Sequence, residues 1–160
     1  MSATELARTI AAPRHAVYAA LLDADAVQRW MVPDGMTSEI HSFDPEVGGA
    51  FRISLTYDAP DPVGKSGAHT DTYHGTFAAL VPDHEVVQVV EFETDDPAMQ
   101  GEMTITYQLT DAGLADGTVG TLVTGSHEGL PPGISIADNE LGWRMSMAKL
   151  ADLVEASGAT

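Results

Sequence analysis

Histidine and tyrosine are the side chains of this sequence best suited to acid–base chemistry. His127 precedes Glu128 near the end of a predicted strand, shortly before a long predicted helix. An imidazole with a pKa of about 6.5 could act as a general base on a bound ketone or polyketide. Strand alternation puts His127 on one face with Val123 and Gly125, but the opposite face is equally suited to point inward. A hydrogen-bonded structural histidine is therefore the competing interpretation, and no catalytic residue is assigned.

Three tyrosines, Tyr57, Tyr73 and Tyr107, lie on predicted strands whose apolar faces should turn inward. A phenol in an apolar pocket can orient a carbonyl or hydroxyl of a ligand through one hydrogen bond. It acts as an acid only if its pKa falls below the usual value of about 10. We therefore expect these tyrosines to orient a ligand. His74 lies on the face opposite to Tyr73 and is expected to face solvent or pair across strands.

The sequence lacks the motifs of most other catalytic, nucleotide-binding and metal-binding sites. The chain contains no Cys, which excludes disulfides, thiolate nucleophiles and Cys-ligated metals. There is no Gly-x-Ser-x-Gly elbow, no Gly-x-Gly-x-x-Gly motif and no complete P-loop. His69, His74 and His84 are spread over separate strand ends and do not have metal-ligand spacing with His127. We predict no cofactor and no metal.

The charge balance excludes further classes of partner. The chain has 24 Asp and Glu against 7 Lys and Arg, a formal net charge of −17. Nucleic acids and anionic membranes are bound by clustered Lys and Arg, which are too few and too scattered here, so neither partner is expected. The acidic residues are interpreted as a solvated surface, and those of residues 91–96 as a strand end and a turn. No apolar run is long enough to span a membrane, which predicts a cytoplasmic protein.

The first thirty residues predict a strand followed by two short helices. Residues 4–11 form an extended run. Pro13 suits the first turn of a helix, because its missing N–H leaves no bond unmade there. A second helix is predicted to begin with Asp25 as its N-cap and to end before Met31, with Trp30 near the break.

From residue 37 the hydrophobic period changes from about 3.6 to 2, which predicts antiparallel strands. Alternation is clearest over residues 51–57 and 103–109. Further strands are predicted over residues 72–80, 86–93 and 118–128. The Pro- and Gly-rich residues 59–68 form a long loop, and loops of this kind at the mouth of a cavity often gate its entrance, so gating by this loop stays open.

The C-terminal region predicts one long helix. Residues 129–133 break the chain, and Ser135 with Asp138 forms a capping box for a helix reaching about residue 156. Its apolar stripe comprises Ile136, Trp143, Met147, Leu150 and Val154.

The order of these elements predicts an α+β protein with one domain, residues 1–160, and a core spanning about 4–155. A long amphipathic helix laid across a curved antiparallel sheet commonly encloses an apolar hollow, which is a site for a small molecule. Ligand contacts are predicted for the large inward-facing side chains, namely Trp30, Phe51, Ile53, Tyr57, Tyr73, Phe77, Met103, Ile105, Tyr107, Trp143 and Met147.

Several short motifs, in this order, resemble the activator-of-Hsp90-ATPase-homologue-like branch of the START/Bet v 1-like (SRPBCC) superfamily. The resemblance covers residues 4–155. Its motifs are Ile10-Ala11-Ala12-Pro13, Trp30-Met31, Phe43-Asp44-Pro45-Glu46-Val47-Gly48-Gly49, Gly75-Thr76-Phe77, Gly120-Thr121, His127-Glu128-Gly129 and Gly142-Trp143.

The resemblance implies a helix-grip fold, in which a strongly bent antiparallel sheet of six or seven strands grips the C-terminal helix. Members of this superfamily bind apolar ligands, act as polyketide cyclases or aromatases, or serve as co-chaperones, so the fold leaves the activity open. We expect a binding protein for a small, mainly apolar molecule. The alternatives are a cyclase-like or hydrolase-like enzyme using His127 with pocket tyrosines or carboxylates, and a module that binds a chaperone or regulator. An Hsp90 interaction is not expected, because the basic surface of that co-chaperone has no counterpart here; a homodimer stays open.

Overall fold

The computed structural model describes residues 3–32, 35–57 and 70–158. In chain order, the elements are β1 (Ala3–Ile10), α1 (Arg14–Leu21), α2 (Ala24–Trp30), β2 (Met36–Phe43), β3 (Ala50–Tyr57), β4 (Thr70–Val81), β5 (Glu85–Phe92), a 3₁₀ helix (Pro97–Met99), β6 (Met103–Gly113), β7 (Val119–Glu128) and α3 (Ile136–Gly158). The predicted loop at residues 59–68 lies outside the described residues.

All seven strands form one antiparallel, strongly curled sheet in the order β1-β7-β6-β5-β4-β3-β2. Strands β2 to β7 follow one another as neighbours, whereas β1 pairs with β7 at the far edge. The segment containing α1 and α2 therefore links the two edges of the sheet. Register shifts at Ile40/Ser42 in β2 and at Phe77/Ala79 in β4 interrupt the pairing, and such bulges bend strands and increase their twist. The predicted helix-grip architecture is confirmed.

The start of each of the two short helices is marked by an N-cap residue. Pro13, predicted to lie in the first turn of α1, is instead its N-cap, one residue before the first helical residue. The prediction that Asp25 caps α2 was wrong. Asp23 is the N-cap, and its carboxylate accepts a hydrogen bond from the Asp25 N–H at 3.1 Å. Both aspartates are good capping residues, and only the extended backbone of Asp23 distinguishes them.

Helix α3 is anchored at its start and along one face. The Ser135 hydroxyl accepts a hydrogen bond from the Asp138 N–H at 3.2 Å, as the predicted cap requires. Trp143, Met147 and Leu150 of the predicted stripe are buried. Ile136 is not, with 47% of its surface exposed. The helix packs on β1, α1 and α2.

The core lies between the concave face of the sheet and the helices. It includes Ile10, Trp30, Phe77 and Leu150, each completely buried. The Trp30 indole N–H donates to the Ala20 carbonyl at 2.9 Å, which ties α2 to α1. Among the described helices, none is both long and apolar enough to cross a membrane.

His74 lies on the opposite, convex face of the sheet, as predicted. Its imidazole contacts Glu93 at 3.1 Å, and Glu93 also accepts two hydrogen bonds from the Arg52 guanidinium at 2.8 and 2.9 Å. The Arg52 hydrogen bond, aided by His74, lowers the pKa of the Glu93 carboxyl to about 2. This cluster faces solvent, away from the helices.

Candidate functional site

A pocket of about 530 Å³ lies between the sheet and the first half of α3. Strands β3 to β7 supply one wall, α3 and residues 133–135 supply the opposite wall, and Trp30 and Met31 contribute from the end of α2. The pocket is lined by Trp30, Met31, Met36, Leu55, Asp71, Tyr73, Gln88, Val90, Phe92, Met99, Met103, Ile105, Tyr107, His127, Gly133, Ile134, Ser135, Asp138, Asn139, Gly142, Trp143 and Ser146.

Aromatic rings run in a continuous edge-to-face series along this pocket. The Trp30 and Tyr107 centroids are 6.1 Å apart, those of Tyr107 and Trp143 are 6.2 Å apart, and those of Trp143 and His127 are 5.7 Å apart. Their interplanar angles lie between 83° and 87°. Edge-to-face packing of this kind is favourable beyond the burial of area alone. The series gives the pocket a fixed aromatic side.

Gly125 makes room for the Trp143 ring. A Cβ atom on Gly125 would lie 2.5 Å from the nearest indole atom of Trp143, closer than side chains approach one another. Gly125 stands between Val123 and His127 on the inner face of β7. A residue without a side chain at this position therefore leaves the space that the Trp143 ring occupies beside β7.

The side chain of His127 points inward, a direction that strand alternation left open. Its ring lies partly buried on the pocket wall beside Trp143. The Nε2 atom is 3.2 Å from the Met103 sulfur, and Nδ1 is 3.4 Å from the Asn139 side-chain nitrogen. Burial among these uncharged neighbours lowers the pKa of His127 to about 4, because desolvation disfavours the imidazolium. His127 is therefore neutral at physiological pH.

The two described pocket tyrosines are equally unsuited to carrying charge. Burial raises the pKa of the Tyr73 phenol, with a smaller contribution from Tyr107, and burial also raises the pKa of Tyr107. The Tyr73 hydroxyl donates to the Met31 sulfur at 3.2 Å. Neither tyrosine has the depressed pKa that proton transfer would need.

The structure separates the predicted ligand contacts into two groups. Six of them line the pocket, namely Trp30, Tyr73, Met103, Ile105, Tyr107 and Trp143. Four others lie in the packed core away from its wall, namely Phe51, Ile53, Phe77 and Met147. The rings of Phe43, Phe51 and Phe77 pack against one another and fill that end of the sheet. The side chain of Tyr57 lies outside the described residues.

Sequence reasoning missed several wall residues for which a signal existed. Asn139 precedes Trp143 by four residues, so helical spacing puts both on one face of α3. Gln88 alternates with the buried Val86 and Val90 in β5 and is itself only 3% exposed. A polar residue at an inward strand position indicates a polar contact inside the fold. The Met31, Met36 and Met99 contributions come from element ends, where periodicity carries no information.

The pocket offers no preformed metal centre in the part of the chain that is described. No group of three or more His, Asp or Glu residues within these ranges is arranged to hold a metal ion. Its hydrogen-bonding side chains include a neutral imidazole, two tyrosine phenols, two amides, two serine hydroxyls and the carboxylates of Asp71 and Asp138. Such a set can orient a bound molecule by hydrogen bonds.

A curled antiparallel sheet that grips a long C-terminal helix defines the helix-grip class of the START/Bet v 1-like superfamily. The family model for activator of Hsp90 ATPase homolog 1-like proteins matches residues 11–155. The chain belongs to this family, as the sequence motifs predicted. No curated protein sequence matches the chain significantly.

Solved structures extend the similarity over the whole fold. Protein CV1439 from Chromobacterium violaceum is 29% identical, with a TM-score of 0.81 and 96% of each chain covered. The AHSA1 protein SPO3351 from Silicibacter pomeroyi is 17% identical, with a TM-score of 0.75, over 98% of this chain and 99% of that one. DynU16, a protein in the dynemicin biosynthetic locus, is 19% identical, with a TM-score of 0.65, over 99% of this chain and 49% of its own. The last two share the fold alone.

Proposed function

We propose that this protein binds a small, mainly apolar molecule in the pocket between the sheet and α3. The observation that supports this proposal is the pocket's volume of about 530 Å³ together with its aromatic and methionine lining. Small-molecule sites commonly occupy about 300–1,000 Å³, with apolar walls and a few placed polar groups. Methionine thioethers also adapt to ligands of variable shape. The cytoplasmic location expected from the sequence stays a prediction.

A cyclase-like or hydrolase-like activity has weaker support. General-base catalysis is most effective when the pKa of the base lies near the operating pH, and the pKa of His127 is lowered to about 4. The side-chain contacts of its ring nitrogens, Met103 and Asn139, are not ionisable. Binding without assigned chemistry therefore accounts better for the composition of the pocket.

The proposal is tested with N-phenyl-1-naphthylamine, a neutral apolar probe whose fluorescence rises in apolar surroundings. We expect saturable binding of one probe per chain with a Kd roughly in the micromolar range. The variant Ile105→Trp replaces an aliphatic side chain of the pocket wall with a larger aromatic one and should raise the Kd at least about tenfold. Tenfold corresponds to about 1.4 kcal/mol of binding free energy.

The matched control is Ile40→Trp, the same change at a partly buried residue of β2 that does not line the pocket. Its Kd should stay within about twofold of the wild-type value. Circular dichroism establishes that both variants fold. Non-saturable fluorescence, or equal weakening by both substitutions, would contradict binding in this pocket.

A further inference from the structure

Gln88 is a buried polar residue on the sheet wall of the pocket. It lies in β5, the central strand of the seven, and is only 3% exposed. Residues directly opposite one another in an antiparallel pair share a face, as do residues two apart in one strand. The neighbours of Gln88 on this inner face are all apolar, namely Val86, Val90, Phe77 and Ile105. None of these side chains can form a hydrogen bond with the amide.

Both halves of the Gln88 amide are available from the pocket. Within the described part of the chain, the side chain has no hydrogen-bond partner. Neither its nitrogen nor its oxygen is among the unpaired side-chain atoms that are inaccessible to solvent, so both atoms keep accessible surface. Because Gln88 is otherwise buried and lines the pocket, this surface faces the pocket. An unpaired buried amide costs free energy, and its retention indicates groups that pair with a bound molecule.

Ser146 presents a second uncharged polar group from the opposite wall. It follows Trp143 by three residues, which puts both on one face of α3, and it is 6% exposed. Its hydroxyl also lacks a hydrogen-bond partner among the described residues and is not inaccessible to solvent. The region between Gln88 and Ser146, which we call the inner part of the pocket, therefore has hydrogen-bonding groups on both walls.

The two carboxylates of the pocket lie farther out. Asp71 and Asp138 are exposed residues. Asp71 precedes Phe77, the cross-strand partner of Gln88, by six residues, or about 20 Å of strand. Asp138 precedes Ser146 by eight residues, or about 12 Å of helix. Their charge therefore acts on the outer part of a bound molecule, where it disfavours an anion and is compatible with a neutral or positive group.

The inner part of the pocket is suited to an uncharged group. Gln88 and Ser146 carry no charge, and the described lining includes no Lys or Arg. A charged group there would lose its hydration without a counter-ion beside it, which is unfavourable.

The chemistry of the Gln88 amide restricts this uncharged group further. Its NH₂ group only donates hydrogen bonds, and its carbonyl oxygen only accepts them. A ketone of the ligand would satisfy the donor and leave the oxygen unpaired. A carboxamide or lactam has a donor and an acceptor side by side and can satisfy both in two antiparallel hydrogen bonds.

We propose that the ligand carries an uncharged carboxamide or lactam group that forms two hydrogen bonds with the Gln88 amide, while its apolar part packs on the aromatic side of the pocket. The proposal rests on the proposed function and adds the class of ligand. It makes Gln88 the residue that determines specificity.

The test compares how well 2-naphthamide and 2-acetylnaphthalene displace N-phenyl-1-naphthylamine at pH 7. The two molecules are neutral and similar in shape, but the NH₂ group of the first is a methyl group in the second. We expect wild-type protein to bind 2-naphthamide about threefold or more tightly than 2-acetylnaphthalene, because only the amide also donates to the Gln88 oxygen.

The variant Gln88→Leu removes both hydrogen-bonding groups at similar size. It should reduce the preference for 2-naphthamide about fivefold or more, the size of one hydrogen bond. Gln108→Leu is the matched control, the same change at an exposed residue of the neighbouring strand β6 that does not line the pocket. It should keep the wild-type preference within about twofold.

Thermal denaturation without ligand gives a second measurement. Because the Gln88 amide is unpaired in the folded protein, Gln88→Leu should raise the Tm by about 2 °C or more. A Tm that falls would mean that the amide is bonded within the fold, which contradicts the proposal. If Gln88→Leu does not fold, Gln88→Met replaces it, and the preference of the wild-type protein decides the question if neither variant folds.

Two kinds of failure are distinguishable. If N-phenyl-1-naphthylamine does not bind saturably, the proposed function fails, and this proposal fails with it. If the probe binds but wild-type protein does not prefer 2-naphthamide, only the proposal about Gln88 is overturned. A preference that Gln88→Leu leaves unchanged has the same consequence, since water alone would then serve the amide.

Discussion

At the scale of single residues, burial in the pocket disfavours charge on its histidine and its two tyrosines. Burial lowers the pKa of His127 and raises the pKa values of Tyr73 and Tyr107. All three shifts favour the neutral form and have desolvation as their largest cause. Side chains that could carry out acid–base chemistry are therefore held as neutral hydrogen-bonding groups.

The burial of His127 makes the folded protein sensitive to mild acid. The folded-state pKa of about 4 lies below the usual value of 6.5, so the unfolded chain binds the proton first as the pH falls. Stability contributed by the neutral ring is complete above about pH 6.5 and is lost as the pH falls towards 4. Between pH 7.5 and 5 we expect a loss of about 2 kcal/mol from this residue alone.

Urea denaturation of the wild type and of His127→Gln at the two pH values measures this contribution. The variant cannot take up the proton and should lose about 2 kcal/mol less between them. The exposed His15 offers a control, since His15→Gln should retain the wild-type difference. Equal pH dependence in wild type and His127→Gln would show that the ring is not desolvated.

At the scale of elements, the closeness of α3 to β7 shapes the site. The indole of Trp143 lies so close to Gly125 that a Cβ atom there would be 2.5 Å from it, so a larger residue at this position would alter the contact between α3 and β7. Asn139 and Ser135 lie one and two turns nearer the start of the same helix, so their positions depend on that contact. Helix α3 covers the core with one part of its length and forms a wall of the pocket with another.

We therefore expect Gly125→Ala to disturb stability and pocket together. The added methyl group would overlap the Trp143 ring and should cost about 1–3 kcal/mol of unfolding free energy, with a changed near-ultraviolet circular dichroism signal from tryptophan. Gly113→Ala is the matched control, because a Cβ at Gly113 meets nothing within 4 Å. Wild-type stability and an unchanged tryptophan signal in Gly125→Ala would contradict the tight contact.

At the scale of the whole molecule, the excess of negative charge is the dominant feature. A net charge of −17 on 160 residues opposes compaction through self-repulsion. Ion pairs such as Arg14–Asp111, Arg52–Glu93 and Arg144–Glu140 offset only a small part of it, and all involve exposed carboxylates or partly exposed ones. Added salt should therefore weaken the repulsion among the acidic residues more than it weakens the attraction within the ion pairs.

Raising NaCl from 10 to 300 mM should increase the Tm by about 3 °C or more, since 1 kcal/mol shifts the Tm of a domain of this size by about 2–4 °C. Thermal denaturation followed by circular dichroism measures the change. KCl at equal concentration should have the same effect, because screening depends on ionic strength and not on the ion. A Tm that falls with salt would mean that the ion pairs outweigh the repulsion.

The sequence by itself determined six of the seven described strands and the three α-helices, because alternation and helix caps are local, and the order of short motifs along the chain indicated the family. The alternation in β3 and β6, the proline at the start of α1 and the serine cap of α3 each depend on a few neighbouring residues, and each was found in the structure. The sequence also predicted which aromatic residues on the strands face inward. It did not distinguish those that pack in the core from those that line the pocket.

Only the tertiary structure decided which of those side chains border the pocket and how its polar groups are arranged. Phe51 and Phe77 share an inward face with pocket residues, but the ring of Phe43 covers them at one end of the sheet. His127, Met103 and Asn139 are distant in sequence and meet because α3 lies across β6 and β7. Periodicity gives the direction of a side chain from its own element, whereas a pocket depends on the distance between elements, which is set by packing at positions such as Gly125.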